Sequence, residues 1–185
     1  MKRYMSLFLS TVVILFVLSA CSSNDKQQES APTGNPPTDQ TATFDNHEQI
    51  IAGLDLNQYI VDHIGIQSEE GIVFAAHEVL GTEVKENKLR VYVWAKAIEY
   101  NKKGGELQEG SAIQLPLALF IEQLQDGSYQ ITQHYLPQEG VNYMDEIKNI
   151  FPSTVIEEIK NSSGRSERLT KEILTQAKQH YSSKN

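Results

Sequence analysis

LRVYVWAKAIEY, residues 89–100, decides the fold. Its apolar residues recur every second position, the period of a strand and not of a helix. One face carries Leu89, Val91, Val93, Ala95 and Ala97, and the other Arg90, Tyr92, Trp94, Lys96, Ile98 and Tyr100. The first face is small and apolar, so it suits a helix that packs closely. The second interleaves aromatic rings with cations and admits two readings. Either it is partly exposed and grips something, or it is amphipathic covering in which Trp94 lies beneath a helix as core.

Three more strand-like runs surround this one. IVFAAHEVLG (72–81) precedes it across a polar turn at Glu86, Asn87 and Lys88. AIQLPLALFIEQL (112–124) follows it after a glycine-rich connection, residues 102–110. SYQITQHYLP (128–137) follows the tight turn Asp126-Gly127, a strong hairpin signal between alternating runs. Consecutive hairpins make an antiparallel meander.

Helical spacing flanks the strands. In LDLNQYIVDHIGIQ (54–67), Leu56, Tyr59, Ile60, His63 and Ile64 share one side, Asp55 is placed as a cap and Gly65 closes the segment. Beyond the meander, Met144, Ile147 and Ile150 define a short helix over 142–150. Pro152 suits the first turn of a second, STVIEEIKN, and Gly164 ends it. The last, RSERLTKEILTQAKQHY, is amphipathic through Leu169, Ile173, Leu174 and Ala177. The expected class is α+β: a meander of about four strands, preceded by one helix and followed by two or three.

The N-terminal segment gives an address. Lys2 and Arg3 precede an apolar run over residues 7–18. That run is too short for a span of roughly 20 apolar residues, and fits the h-region of a signal peptide. It ends in Leu18-Ser19-Ala20-Cys21, which looks like a bacterial lipobox, and Cys21 is the chain's single cysteine. The expectation is a signal peptide over 1–20 and diacylglycerol on the Cys21 sulfur. The chain then sits on the extracytoplasmic face of the cell membrane as a lipoprotein, its membrane partner being its own lipid.

Residues 22–46 hold three prolines and almost nothing apolar before Phe44, so 21–46 reads as a lipidated cysteine and disordered tether. About 25 flexible residues span roughly 25–30 Å, enough to clear a headgroup layer. Residues 47–185 then form one extracytoplasmic domain. Losing Lys2 and Arg3 with the leader takes the formal charge from −8 to −10. An acidic balance of that size argues against nucleic acid and keeps the domain off an anionic membrane surface.

Signatures of chemistry are sparse. His77-Glu78 is not followed by the second histidine of a zinc-protease motif, and His63 and His134 have no ligand partner at recognisable spacing. No metal or cofactor is therefore expected. No GxSxG occurs, and the Ser23-to-Lys26 match to SxxK lies in the tether. Cys21 carries lipid, and Gly104-Gly105 lacks the sequel of a phosphate loop. Asp145-Glu146 and Glu157-Glu158 are helix neighbours whose side chains diverge by about 100° per residue.

Residues 77–152 resemble a module of uncharacterised Gram-positive lipoproteins, Bacillus-like and clostridial. The carrying segments are HEVLGTE (77–83), VYVWAKAIEY (91–100), ELQEGSAIQLP (106–116), DGSYQITQHYLPQEGVNY (126–143) and IFP (150–152). The same module resembles the extracytoplasmic tails of membrane metallopeptidases related to β-lactam sensors. The resemblance implies an accessory or sensing domain and brings no catalytic or ligand residues. The expected function is non-enzymatic: binding, sensing or assisting at the cell envelope, with an envelope protein or cell-wall component as partner. The candidate surface is Arg90, Tyr92, Trp94, Lys96 and Tyr100. The alternative is an envelope hydrolase whose site is assembled from scattered residues.

Overall fold

A computed structural model describes residues 44–183 apart from 67 and 69, so the lipobox at 18–21 and most of the expected tether lie outside the described residues. Four strands run β1 (Ile72–Lys85), β2 (Lys88–Lys103), β3 (Glu106–Gln123) and β4 (Tyr129–Tyr135). They pair in sequence order, every pair antiparallel. Helices α1 (His47–Ala52) and α2 (Leu56–His63) precede the sheet, and α3 (Tyr143–Ile150), α4 (Ser153–Lys160) and α5 (Arg165–Ser182) follow it. The class is α+β, as expected from the sequence.

The hairpins explain why the strands outrun their expected lengths. Glu86 and Asn87 both take positive φ, 55° and 57°, so the β1–β2 turn is two residues long and both strands run up to it. Gly104 and Gly105 do the same at φ 63° and 90°. The expected connection over 102–110 is therefore mostly strand, because only its Gly-Gly pair turns. Two other glycines sit inside strands. Gly81 follows a register shift in β1, where a Cβ would come within 3.1 Å of Val155 on α4. Gly110 faces Glu99, and a Cβ there would meet its Oε2 at 2.8 Å. Both mark close approach and not strand ends.

The two faces of β2 are buried against different helices. Leu89, Val91, Val93, Ala95 and Ala97 form one core with Leu56 and Ile60 of α2, Ile64 at its C-terminal cap and Ile50 of α1. Asp55 caps α2 by accepting from Gln58 N at 2.9 Å. The opposite face meets α3, α4 and α5 in two clusters. Tyr92 and Ala118 pack with Ile147, Phe151 and Val155. Ile98, Tyr100 and Ala76 pack with Leu169, Ile173 and Ala177. Each large apolar side chain buried this way contributes about 1.5–3 kcal/mol of transfer free energy. The result is a sheet between two helical layers.

Two expectations need correction. A second helix, α1, precedes the sheet; its six residues span less than two turns, too few to show a period. The ordered core also starts before His47. Phe44, inside the stretch read as tether, is 4 % exposed and packs on Tyr129 with ring centres 5.9 Å apart.

Candidate functional site

The β2 stripe is one face, and helices cover most of it, so of the two readings that its alternation left open, covering describes most of its length. Tyr100 is 4 % exposed, and its carbonyl accepts from Tyr181 Oη at 2.8 Å. Burial, then Glu109, raises the Tyr100 pKa. Lys96 Nζ donates to Ser166 Oγ at 2.9 Å, on the first turn of α5. Trp94 lies against Arg165, which is itself buried. Tyr92 is 1 % exposed, donates to Glu83 Oε2 at 2.9 Å and has its ring 5.7 Å from Phe151. Burial raises the Tyr92 pKa first, and the Glu83 carboxylate raises it further.

Arg90 is different. It lies at the end of the stripe, opposite Phe120 on β3, which is opposite Gln133 on β4. The next row holds Tyr92, Ala118 and Tyr135. Where these rows emerge beside the end of α3, a cleft of about 390 Å³ opens. Its walls include Lys88, Arg90, Phe120, Gln133, Tyr135 and Asn149, and its size falls in the range of small-ligand pockets.

The cleft has an aromatic floor and a cationic end. Arg90 Cζ sits 5.1 Å from the centre of the Phe120 ring. Phe120 and Tyr135 meet edge to face at 5.2 Å, and Tyr135 is 46 % exposed. The Gln133 amide donates to the Tyr135 hydroxyl and orients it. Arg90 Nη2 reaches Glu86 only at 3.6 Å, and its Nε is buried with no protein partner. Lys88 Nζ holds Glu122 Oε1 at 2.7 Å. That bond first, with the Thr132 hydroxyl, lowers the Glu122 pKa.

Cations and carboxylates are thus balanced here. A strongly anionic ligand would compete with Glu86 and Glu122, whereas a neutral polar ring would not. Such a ring could lie on Tyr135 and Phe120 and accept from Arg90, Gln133 and Asn149. Larger hollows flank α1, one about 490 Å³ beside Tyr129 and one about 560 Å³ beside Val79, but neither is lined by lysine or arginine.

Of the five residues expected at the site, Arg90 alone lines this cleft. Phe120, Gln133 and Tyr135 were legible only as strand residues: Phe120 meets Arg90 through the β2–β3 register, and Gln133 and Tyr135 join them through the β3–β4 register, which shifts between Phe120 and Ile121. Asn149 arrives from α3 and left no local signal. Among the described residues, no three His, Cys, Asp or Glu groups gather so as to hold a metal ion, and no helix is long and apolar enough to cross a membrane. No protein-family model matches the chain, and neither a curated protein nor a solved structure matches it.

Proposed function

We propose that this chain is a lipid-anchored, extracytoplasmic binding domain whose cleft between β2, β3, β4 and α3 holds a sugar-bearing component of the cell envelope. The observation that carries the reading is Arg90, whose guanidinium lies over Phe120 at one end of the cleft, beside the half-exposed ring of Tyr135. Aromatic faces supply contact area at small entropic cost. The lipobox-like Leu18-Ser19-Ala20-Cys21 supports the anchor, and the resemblance of residues 77–152 to lipoprotein modules supports the compartment. The role in this reading is binding: Glu122 beside the cleft is held by Lys88 at 2.7 Å, and Glu86 pairs loosely with Arg90 at 3.6 Å.

Co-sedimentation with purified cell-wall polymer tests the binding. The parent chain should pellet with the polymer, and Tyr135→Ala should weaken binding about tenfold, roughly 1.4 kcal/mol. Equal pelleting of parent and variant would remove the cleft from the account. The anchor is tested separately by fatty-acid labelling, which Cys21→Ala should abolish.

A further inference from the structure

A second site sits on the opposite face of the sheet, between α2 and β4. His63 and His134 are 71 positions apart in sequence, yet their ring centres lie 6.4 Å apart. Tyr59 organises both. The His63 ring stacks on Tyr59 at 4.1 Å, and its Nδ1 bonds the Tyr59 carbonyl oxygen at 3.1 Å. A carbonyl only accepts, so His63 Nδ1 carries the proton and Nε2 carries the free lone pair. His134 Nδ1 meets the Tyr59 hydroxyl at 2.9 Å. In the tautomer that donates to that oxygen, its Nε2 is free as well.

Histidines that ligate metals characteristically bond through their other ring nitrogen to a carbonyl, carboxylate or water, which fixes tautomer and orientation. Here one tyrosine supplies both supports. We infer that His63 and His134 form a site for one borderline divalent transition-metal ion, Cu²⁺, Ni²⁺ or Zn²⁺, bound through the two Nε2 atoms with water in the remaining positions. Imidazole pairs suit these ions, and Cu²⁺ should bind tightest. Two imidazoles on one tetrahedral ion, at bonds of about 2.0–2.1 Å, place their ring centres about 5 Å apart. His63 is exposed, so a small turn of its ring closes the difference. The Asp62 carboxylate, beside His63 and held by Gln58 Nε2 at 2.8 Å, adds favourable charge. Bound there, the ion ties α2 to the edge strand.

The test is equilibrium dialysis of the full chain against Cu²⁺, Ni²⁺ and Zn²⁺, compared with His63→Gln, His134→Gln and His47→Gln chains. Cys21 is common to all of them. The parent should retain one ion and unfold at a higher temperature with it. His63→Gln and His134→Gln should each lose at least about tenfold in affinity, the lower end of what losing even an outer-shell partner costs. The His47→Gln chain should match the parent. Far-ultraviolet circular dichroism confirms that each variant is folded. No retained ion in the parent, or affinity equal to the parent's in the His63→Gln and His134→Gln chains, would overturn the inference.

Discussion

The Arg165 guanidinium carbon lies 5.4 Å from the centre of the Trp94 ring, and the same arginine donates from Nε to Glu78 Oε1 at 3.0 Å. Its Nη2 bonds the Glu158 carbonyl at 3.0 Å, so one buried cation joins β1, β2, α4 and the start of α5. Arg168 adds a second bond to Glu78 from the next turn of α5. The sheet face that alternation alone left ambiguous is closed by this arrangement.

Trp94 should therefore report a packed site. Its emission should be blue and poorly quenched by acrylamide, and Trp94→Ala should cost about 3 kcal/mol. Arg165→Ala should cost about 1.5–3 kcal/mol from its lost charged hydrogen bonds to Glu78 and the Glu158 carbonyl, since Glu78 keeps Arg168. It should also shift Trp94 emission to the red as α5 loosens. Urea denaturation followed by fluorescence measures all of these.

The domain boundary gives a second prediction. A chain starting at His47 lacks Phe44 and leaves one side of Tyr129 uncovered. It should be about 3 kcal/mol less stable than a chain starting at Gln40, the loss expected for deleting a core phenylalanine. Equal denaturation midpoints would place Phe44 outside the cooperative unit.

Acid should destabilise the domain in two ranges. Burial lowers the pKa of His77, outweighing Asp55, and burial with His63 lowers that of His134. The unfolded chain binds protons at these positions first, so stability is fullest above the ordinary histidine range and declines as pH falls below about 6.5. Glu99 acts lower down. It accepts from Ser68 Oγ at 2.7 Å and Gly71 N at 2.9 Å, and these bonds, the serine's first, lower its pKa. Its contribution is present above about pH 4.3 and is lost as pH falls through its depressed folded value. Glu99→Gln should reduce the decline in the lower range, to which Glu122 also contributes, and leave the histidine range unchanged, as chemical denaturation across pH measures.

Local pattern carried most of the fold. Strict alternation in residues 89–100, the Asp126-Gly127 turn and the spacing of Leu169, Ile173 and Ala177 each point to one element. Their agreement makes the α+β order legible. Short or shared features were not. Six residues of α1 carry no period, and Gly81 and Gly110 look like strand ends until their neighbours in space are known. The cleft illustrates the same limit. Arg90 stands out beside aromatic residues in sequence, but which ring it meets is set by strand register, and Phe120 is 30 positions away. The pairing of His63 with His134 likewise depends on α2 crossing the sheet near β4. Residue types can be read singly, whereas convergence needs the fold.

The most direct measurement is amide and side-chain NMR of the protein titrated with soluble, sugar-bearing cell-wall fragments. Ligand seated in the cleft should give saturable shifts at Arg90, Phe120, Gln133, Tyr135 and Asn149. The Trp94 indole should stay still, four residues or about 13 Å along β2 from Arg90. Arg90→Gln and Tyr135→Ala should each remove the shifts without changing the fold. Shifts confined to other surfaces, or persisting in both variants, would contradict binding in the cleft.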